Sequence, residues 1–133
     1  MPYAPIVKPG TKVKLSDYST DETAGLNKEA AHELFKPLKD QIRDLQGLLY
    51  AASQNSVLIV LQGMDTSGKD GTVSRVLESV NPLGCRVWPF KSPTQLELSH
   101  DFLWRVHNKV PECGMMTVFN RSHYEDVLIA RVK

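Results

Sequence analysis

Cysteine and long apolar runs are both scarce in this sequence of 133 residues. The two cysteines, Cys85 and Cys113, show no CxxC spacing, and the four histidines are scattered without the spacing of a zinc site. The longest apolar run, Val57 to Leu61, falls far short of the roughly 20 residues that span a bilayer. Because the first residues also lack a signal-peptide pattern, we expect a cytoplasmic protein with reduced cysteines that contacts no membrane.

An excess of charge of either sign is also lacking. Lys and Arg together number 16 and Asp and Glu 15, which gives a formal net charge of +1. This balance excludes a strongly basic protein that wraps nucleic acid, so we expect no nucleic-acid partner. Hydrophobic residues make up 41% of the chain, enough for a buried core, and disorder along the whole chain is therefore excluded.

The first part of the chain predicts an arm followed by a helix. Residues 1–26 are polar and broken by Pro and Gly, which indicates an extended arm with one short strand at Thr11–Leu15. Residues 27–54 carry apolar residues at helical spacing, with Asn27 as the N-cap. Pro37 should kink or divide this amphipathic helix because it lacks an N–H group.

Residues 55–133 alternate between apolar segments and helical patterns. The predicted strands are Ser56–Leu61, which we expect to be buried on both faces, Cys85–Phe90 and Met115–Phe119. The predicted helices are Thr72–Val80, one from Pro93 to Pro111, and Ser122–Arg131. This order is typical of a three-layer α/β fold with a mainly parallel sheet. Since sheets average about five to six strands, we expect this core to be incomplete, with later strands and a lid missing.

A phosphate-binding loop follows the first predicted strand. Residues 63–69 fit the pattern GxxxxGK, between an apolar strand and a helix, and this context supports a P-loop kinase-like fold. The glycines allow successive backbone N–H groups to point at one anion, and Lys69 adds a full positive charge. A glycine-rich turn that binds nothing is the alternative. The predicted phosphate-binding residues are Gly63, Met64, Thr66, Ser67, Gly68, Lys69, Asp70 and Gly71.

Three polar residues near this loop bear on a metal site. Asp65 is tolerable beside phosphates if a cation bridges them, so we predict that it binds Mg²⁺; a turn residue is the alternative. Asp70 stands where most P-loops carry a Ser or Thr that binds magnesium, and we expect its carboxylate to turn away from phosphate. Asn120 ends the third predicted strand, where an acid is common, and is a weaker candidate ligand.

Candidate substrate contacts lie after the second and third strands. Arg121 could clamp a transferring phosphoryl group, with a surface ion pair as the alternative. Lys91 and Arg105 could contact an anionic substrate near the strand ends, although Arg105 could instead pair with Asp101 at i, i+4. Glu125 is either a supporting acid or part of a solvated helix face.

Four segments in the right order carry a resemblance to a known family. They are GMDTSGKDG at 63–71, FKSPT at 90–94, HDFLWR at 100–105 and FNRSHYEDVL at 119–128. Residues 8–15 and 48–51 are similar as well. Together they resemble the second family of polyphosphate kinases, the P-loop polyphosphate:nucleotide phosphotransferases.

The resemblance implies a Mg²⁺-dependent, reversible transfer of a phosphoryl group between polyphosphate and nucleotides. It implies functional roles for Asp65 and Lys69, with Arg121 beside them, whereas Asn120 departs from the acid of many members. Glu125 occupies the position associated with members that phosphorylate both AMP and ADP. Such proteins are commonly homodimers or homotetramers and are longer, with a helical lid. We therefore expect this chain to match an N-terminal half and to turn over poorly by itself.

Two other functions stay open. An ATP-dependent nucleoside monophosphate kinase, or another small-molecule kinase, would have a similar phosphate loop, but the run from Phe119 to Asp126 is not expected in it. A non-catalytic phosphate-binding fragment is the second alternative. For the leading function, the expected partners are polyphosphate and adenine nucleotides, with guanine nucleotides as a further possibility.

Overall fold

The structure, a computed structural model, describes residues 6–19, 23 and 25–125 of the chain. It divides the chain into two compact units, Met1–Pro37 and Leu38–Lys133. The predicted helix that begins at Ser122 extends into residues 126–133, and that part, with Asp126, lies outside the described residues. The helices are α1 (Lys28–Ala52), α2 (Lys69–Val76), α3 (Gln95–Leu98) and α4 (Trp104–His107). The strands are β1 (Val57–Leu61), β2 (Cys85–Pro89) and β3 (Met116–Asn120).

The three strands form a parallel sheet in the order β1-β3-β2, so the last strand in the sequence lies in the centre. Leu61 of β1 and Pro89 of β2 both pair with Asn120 of β3. The carboxyl ends of all three strands therefore meet at one edge, where open parallel sheets bind ligands. This arrangement confirms the predicted α/β class with a parallel sheet.

The core lies around the central strand. Phe119 of β3 is 1% exposed and packs edge-to-face on Phe90, with 4.8 Å between the ring centroids; Val106 of α4 completes the cluster. The expectation that the first strand is buried on both faces is wrong, since Leu58 and Val60 of β1 are 42% and 44% exposed. Leu58 and Val60 project from the same face of β1, because side chains alternate along a strand, and this face is left partly uncovered within the described residues.

Helix α1 continues through Pro37, so the expected division of this helix does not occur. Proline removes a single N–H group, and the remaining bonds of the 25-residue helix are enough to carry it through. Asn27 is confirmed as the N-cap, because its Oδ1 accepts a hydrogen bond from the N–H of Ala30 at 2.8 Å. The strand predicted at Thr11–Leu15 is wrong, and a short 3-10 helix at Leu15–Asp17 is present instead.

The single helix predicted from Pro93 to Pro111 is also wrong, since two short helices, α3 and α4, occupy this segment. Side chains break the helix by bonding to the local backbone. The hydroxyl of Ser99 donates to the carbonyl of Leu96 at 2.8 Å, and the carboxylate of Asp101 accepts from the N–H of Leu103 at 2.9 Å. The apolar residues that predicted one helix, such as Leu98 and Val106, lie in two separate helices.

The structure bears on both the cysteines and the question of a membrane-spanning helix. Cys85 and Cys113 are both free thiols, and burial raises the pKa of the Cys85 thiol above its usual value. Within residues 6–19, 23 and 25–125, no helix combines the length and apolar character that crossing a membrane requires.

The second half of α1 packs closely on the turn before β2. Gln46 is 1% exposed, and its Oε1 accepts a hydrogen bond from the N–H of Asn81 at 3.3 Å. Gly84, in a short 3-10 helix, lies against it: a Cβ at this position would meet Gln46 Nε2 at 2.1 Å and Tyr50 Cδ2 at 3.0 Å. The contact between α1 and this turn therefore requires a residue without a side chain.

Replacing Gly84 should test this contact. We expect Gly84→Ala to lower the free energy of unfolding by about 1–3 kcal/mol, because the methyl group must displace Gln46. The matched control is Gly47→Ala, an exposed position inside α1 with no atom within 4 Å, which should raise stability by about 0.5–1 kcal/mol. Urea unfolding measures both values, and equal effects of the two substitutions would contradict the packing.

Candidate phosphate site at the carboxyl ends of the strands

The phosphate loop turns sharply between β1 and α2. Gly68 has φ = 85°, in the left-handed region that glycine adopts without strain, and α2 begins at the next residue, Lys69. No side chain caps the helix at Gly68, so the N-terminal N–H groups of α2 receive no bond from that residue. The sequence thus leaves these donors available for an anion, as a phosphate site needs.

Lys69 is held by the loop itself. Its Nζ donates to the carbonyl oxygens of Gly63 at 2.8 Å and Met64 at 2.6 Å, and to the hydroxyl of Ser67 at 3.3 Å. These contacts curl the loop around the ammonium group. Gly63 and Met64 thus hold Lys69 through their carbonyl oxygens, and neither residue lines the cavity described next.

A cavity of about 550 Å³ opens at the carboxyl edge of the sheet. It is lined by the phosphate loop and by the segments that follow β2 and β3, and it collects most of the predicted site residues. The lining residues are Asp65, Thr66, Ser67, Gly68, Lys69, Asp70, Gly71, Pro89, Phe90, Lys91, Ser92, Asn120 and Arg121. Arg105 and Glu125 are not among them.

Asp70 and Asn120 form a hydrogen-bonded pair on the wall of this cavity. The amide Nδ2 of Asn120 donates to Oδ1 of Asp70 at 2.5 Å, which joins the first turn of α2 to the end of β3. Asp70 therefore lies at the cavity, bound to Asn120, and the expectation that its carboxylate turns away from phosphate stays a prediction. The contact compensates its charge in part, since an amide donor stabilises a carboxylate.

Arg121 lies where three segments meet. Its backbone has φ = 68°, and its N–H donates to the carbonyl of Leu61 at 2.9 Å, next to the phosphate loop. One terminal nitrogen of the guanidinium donates to Glu125 at 2.6 Å, and the other donates to Asp65. The structure thus brings Asp65, Arg121 and Glu125 together, although Glu125 lies behind the cavity wall.

Arg105 is buried behind the same wall. Its side chain is 8% exposed, pairs with Glu97 at 3.3 Å and donates to the carbonyl of Lys91 at 2.7 Å. The expected pairing with Asp101 is therefore replaced by one with Glu97. The backbone N–H of Thr94, first, and then the hydroxyl of Thr94 and the charge of Arg105 lower the pKa of Glu97 below its usual value. This network fixes the backbone of Lys91, whose exposed side chain lines the cavity.

Three residues at or near the site were not predicted from the sequence: Phe90 and Ser92, which line the cavity, and Gln62, which does not. Phe90 and Ser92 flank Lys91 on the cavity wall, and both belong to the FKSPT segment that carried the resemblance, so a signal was available. Gln62 is different: its amide Nε2 donates to Glu125 at 2.6 Å, but an exposed glutamine after a strand has no distinctive pattern.

Oxygen donors suitable for a divalent cation also line the cavity. They are the carboxylates of Asp65 and Asp70 and the amide of Asn120. In the part of the chain that the structure describes, no group of three or more His, Cys, Asp and Glu side chains is placed to hold a metal. Mg²⁺ is commonly bound by one or two carboxylates together with substrate phosphates. The donor set therefore fits an ion that arrives with its substrate.

A parallel sheet whose first strand leads through a glycine-bounded loop and a lysine into a helix defines a P-loop kinase-like fold. The family model described as polyphosphate kinase 2 (PPK2) matches residues 25–133. The chain belongs to this family, which confirms the resemblance drawn from its motifs.

Individual relatives agree. The chain is 49% identical over 129 residues to an AMP/ADP-polyphosphate phosphotransferase of Meiothermus ruber, covering 96% of this chain and 48% of that protein. It is 48% identical over 124 residues to an ADP-polyphosphate phosphotransferase of Rhodopseudomonas palustris, covering 92% and 43%. The crystal structure of polyphosphate kinase 2 from Arthrobacter aurescens superposes with a TM-score of 0.84 at 41% identity, covering 95% and 46%. The chain thus spans about half the length of the curated relatives it matches.

Substitutions of Lys91 and Arg105 should affect two different quantities: phosphate binding for Lys91 and stability for Arg105. Lys91→Ala should weaken binding of inorganic tripolyphosphate by about threefold to fivefold, since an exposed charge contributes up to about 1 kcal/mol, and leave unfolding unchanged. Arg105→Met should lower the free energy of unfolding by about 1–3 kcal/mol, because it leaves the Lys91 carbonyl without this donor and removes the charged partner of Glu97. Calorimetric titration and urea unfolding measure the two quantities, and the reverse pattern would make Arg105 the anion contact.

Proposed function

We propose that this chain carries the phosphate-binding site of a polyphosphate kinase, which transfers a phosphoryl group reversibly between inorganic polyphosphate and AMP or ADP. The observation that carries the proposal is the convergence of Lys69, Arg121 and the start of α2 on one cavity with acidic side chains. The names of the relatives from Meiothermus ruber and Rhodopseudomonas palustris support this choice of substrates.

The proposed roles follow from how phosphoryl transfer is catalysed. The protein does little covalent chemistry in this reaction and acts by positioning and by stabilising negative charge. Lys69 neutralises charge on the terminal phosphates, and the loop N–H groups bind the same oxygens. Arg121 contacts the transferring group through the terminal nitrogen that otherwise donates to Asp65. Lys91, which lines the cavity after β2, attracts the anionic chain.

Mg²⁺ is the proposed cation, and Asp65 is its first ligand. When bound, Mg²⁺ neutralises charge on the phosphates that it bridges. Asp65 is 80% exposed on its side chain and pairs with Arg121, so its carboxylate can exchange this arginine for a cation. Asn120 is the second candidate ligand, and Asp70 holds its amide at the cavity wall.

Further features of the whole protein are part of the proposal. Glu125 would favour acceptance of both AMP and ADP, and guanine nucleotides stay open because a relative from Mycolicibacterium smegmatis is named a GDP-polyphosphate phosphotransferase. We expect a cytoplasmic homodimer or homotetramer in which a lid excludes water during transfer. An ATP-dependent kinase and a non-catalytic phosphate-binding fragment are the competing functions.

The choice of donor and the role of Lys69 test the proposal together. In the whole protein, we expect AMP and ADP to be phosphorylated from polyphosphate and AMP not to be phosphorylated from ATP, and we expect Lys69→Ala to reduce the rate at least about 100-fold, as loss of one stabilising charge can do. The control Lys36→Ala removes an exposed lysine on α1 that pairs only at the surface with Glu33. Transfer from ATP would favour the second kinase, and tripolyphosphate binding without any product would favour the non-catalytic fragment.

Asp65→Asn should separate metal binding from nucleotide binding. The amide keeps the size and some hydrogen bonding of Asp65 but loses its charge, so about tenfold more Mg²⁺ should be needed for half-maximal activity, with nucleotide affinity little changed. Asp44→Asn, at an exposed acid on α1, is the control. An unchanged Mg²⁺ titration would reduce Asp65 to a turn residue. A large loss in Asn120→Ala would establish Asn120 as a ligand.

A further inference from the structure

Gln62, the residue directly after β1, joins two segments that follow different strands. Its Nε2 donates to Oε2 of Glu125 at 2.6 Å, and its Oε1 accepts from the hydroxyl of Ser122 at 3.3 Å. Ser122 is 2% exposed, and its hydroxyl also accepts from the N–H of Tyr124 at 3.2 Å. Gln62 thus uses a donor and an acceptor at once, which an amide can do and a carboxylate or an apolar side chain cannot.

Glu125 divides its two oxygens between two partners. Oε2 is bound by Gln62, while Oε1 accepts from one terminal nitrogen of Arg121 at 2.6 Å. The Glu125 side chain is 23% exposed and that of Arg121 is 33% exposed, so water screens this contact only in part. Because Gln62 holds one oxygen, the carboxylate plane cannot rotate freely around its bond to the arginine.

The other terminal nitrogen of Arg121 donates to Asp65 in the phosphate loop. A guanidinium group is a rigid planar fork, so fixing one arm sets the direction of the other. The backbone of Arg121 is fixed from the same side, since its N–H donates to the carbonyl of Leu61. Leu61 thus holds the backbone of Arg121, and its neighbour Gln62 restrains, through Glu125, the direction of the guanidinium group.

We propose that Gln62 is a positioning residue that acts through Glu125 to aim the Arg121 terminal nitrogen that donates to Asp65 at the phosphate cavity. The arm on Glu125 stays in place, and the arm on Asp65 is the one that changes partner to a phosphoryl oxygen. The inference rests on the proposed function, because it needs an anion for Arg121 to bind. It gives Glu125 a role in orienting the arginine, besides any effect on the choice of nucleotide.

A double-mutant cycle on the full 133-residue chain tests this coupling. The probe is inorganic tripolyphosphate, and its affinity is measured by calorimetric titration for the unaltered chain, Gln62→Leu, Arg121→Met and the combination. Gln62→Leu should weaken binding about threefold to tenfold, as loss of an oriented hydrogen bond does. In the Arg121→Met background the same substitution should change the affinity by less than about 1.5-fold, because the residue through which Gln62 acts is gone.

Two controls separate positioning from folding. Gln54→Leu alters an exposed glutamine in the segment before β1 and should leave the affinity unchanged. Gln62→Glu keeps the size of the side chain but faces Glu125 with a second carboxylate, so it should weaken binding even if Gln62→Leu fails to fold. The NMR signals of the Arg121 guanidinium should also move toward those of a freely rotating arginine in both Gln62 variants.

The outcomes distinguish this inference from the proposed function. Additive effects of Gln62→Leu and Arg121→Met, or an unchanged affinity in Gln62→Leu, would overturn the inference while binding that depends on Lys69 still supported the phosphate site. No binding of tripolyphosphate by the unaltered chain would overturn the phosphate site and the inference together.

Discussion

The pairing of β3 between β1 and β2 is the constraint on which the rest of the site depends. Parallel pairing makes Leu61, Pro89 and Asn120 neighbours at one edge, although they are distant in the sequence. Every segment that lines the cavity follows one of these three residues. A shift of β3 by one residue would turn Phe119 to the opposite face of the sheet, away from Phe90, and move Asn120 away from Asp70. The packing of Phe119 on Phe90 therefore fixes the site as well as the core.

Three positively charged side chains at or behind the cavity wall have partners within the protein itself. Lys69 is bound by loop carbonyls, Arg121 by two carboxylates, and Arg105 by Glu97 and the carbonyl of Lys91. Such contacts keep flexible side chains close to their working positions and reduce the entropy lost on binding. These contacts differ in how much water screens them: Arg105 is buried, whereas Asp65, one partner of Arg121, is largely exposed. The exposed contact is the one that a ligand can exchange at least cost.

Sequence reasoning predicted the parts of the fold that local pattern determines. The glycine-bounded loop, the three strands and the N-cap at Asn27 all depend on residues within a few positions of one another. The errors arose where distant residues or local competition decide. The exposure of β1 depends on what covers the faces of the sheet, and the break between α3 and α4 depends on Ser99 and Asp101 competing for backbone groups.

The candidate site shows the same division. Motif spacing indicated Asp65, Lys69 and Arg121, and the cavity contains all three. The contacts of Gln62 and the pairing of Arg105 with Glu97 could not be read from spacing, because they join segments whose relative placement only the fold determines. Ordinary residue types in these positions carry no signal until the sheet brings them together.

Because Asp70 and Asn120 form a hydrogen bond, the residue type at one of these distant positions limits the residue types that suit the other. An acid at both positions would place two carboxylates within hydrogen-bond distance, and like charges so close disfavour the ionised state of both. A neutral side chain at both would leave the wall between α2 and β3 with no charge to attract a cation. One carboxylate and one neutral partner satisfy both demands, and the acid can stand on either the helix or the strand. A substitution at 70 therefore also changes the surroundings of the side chain at 120, and the reverse holds as well.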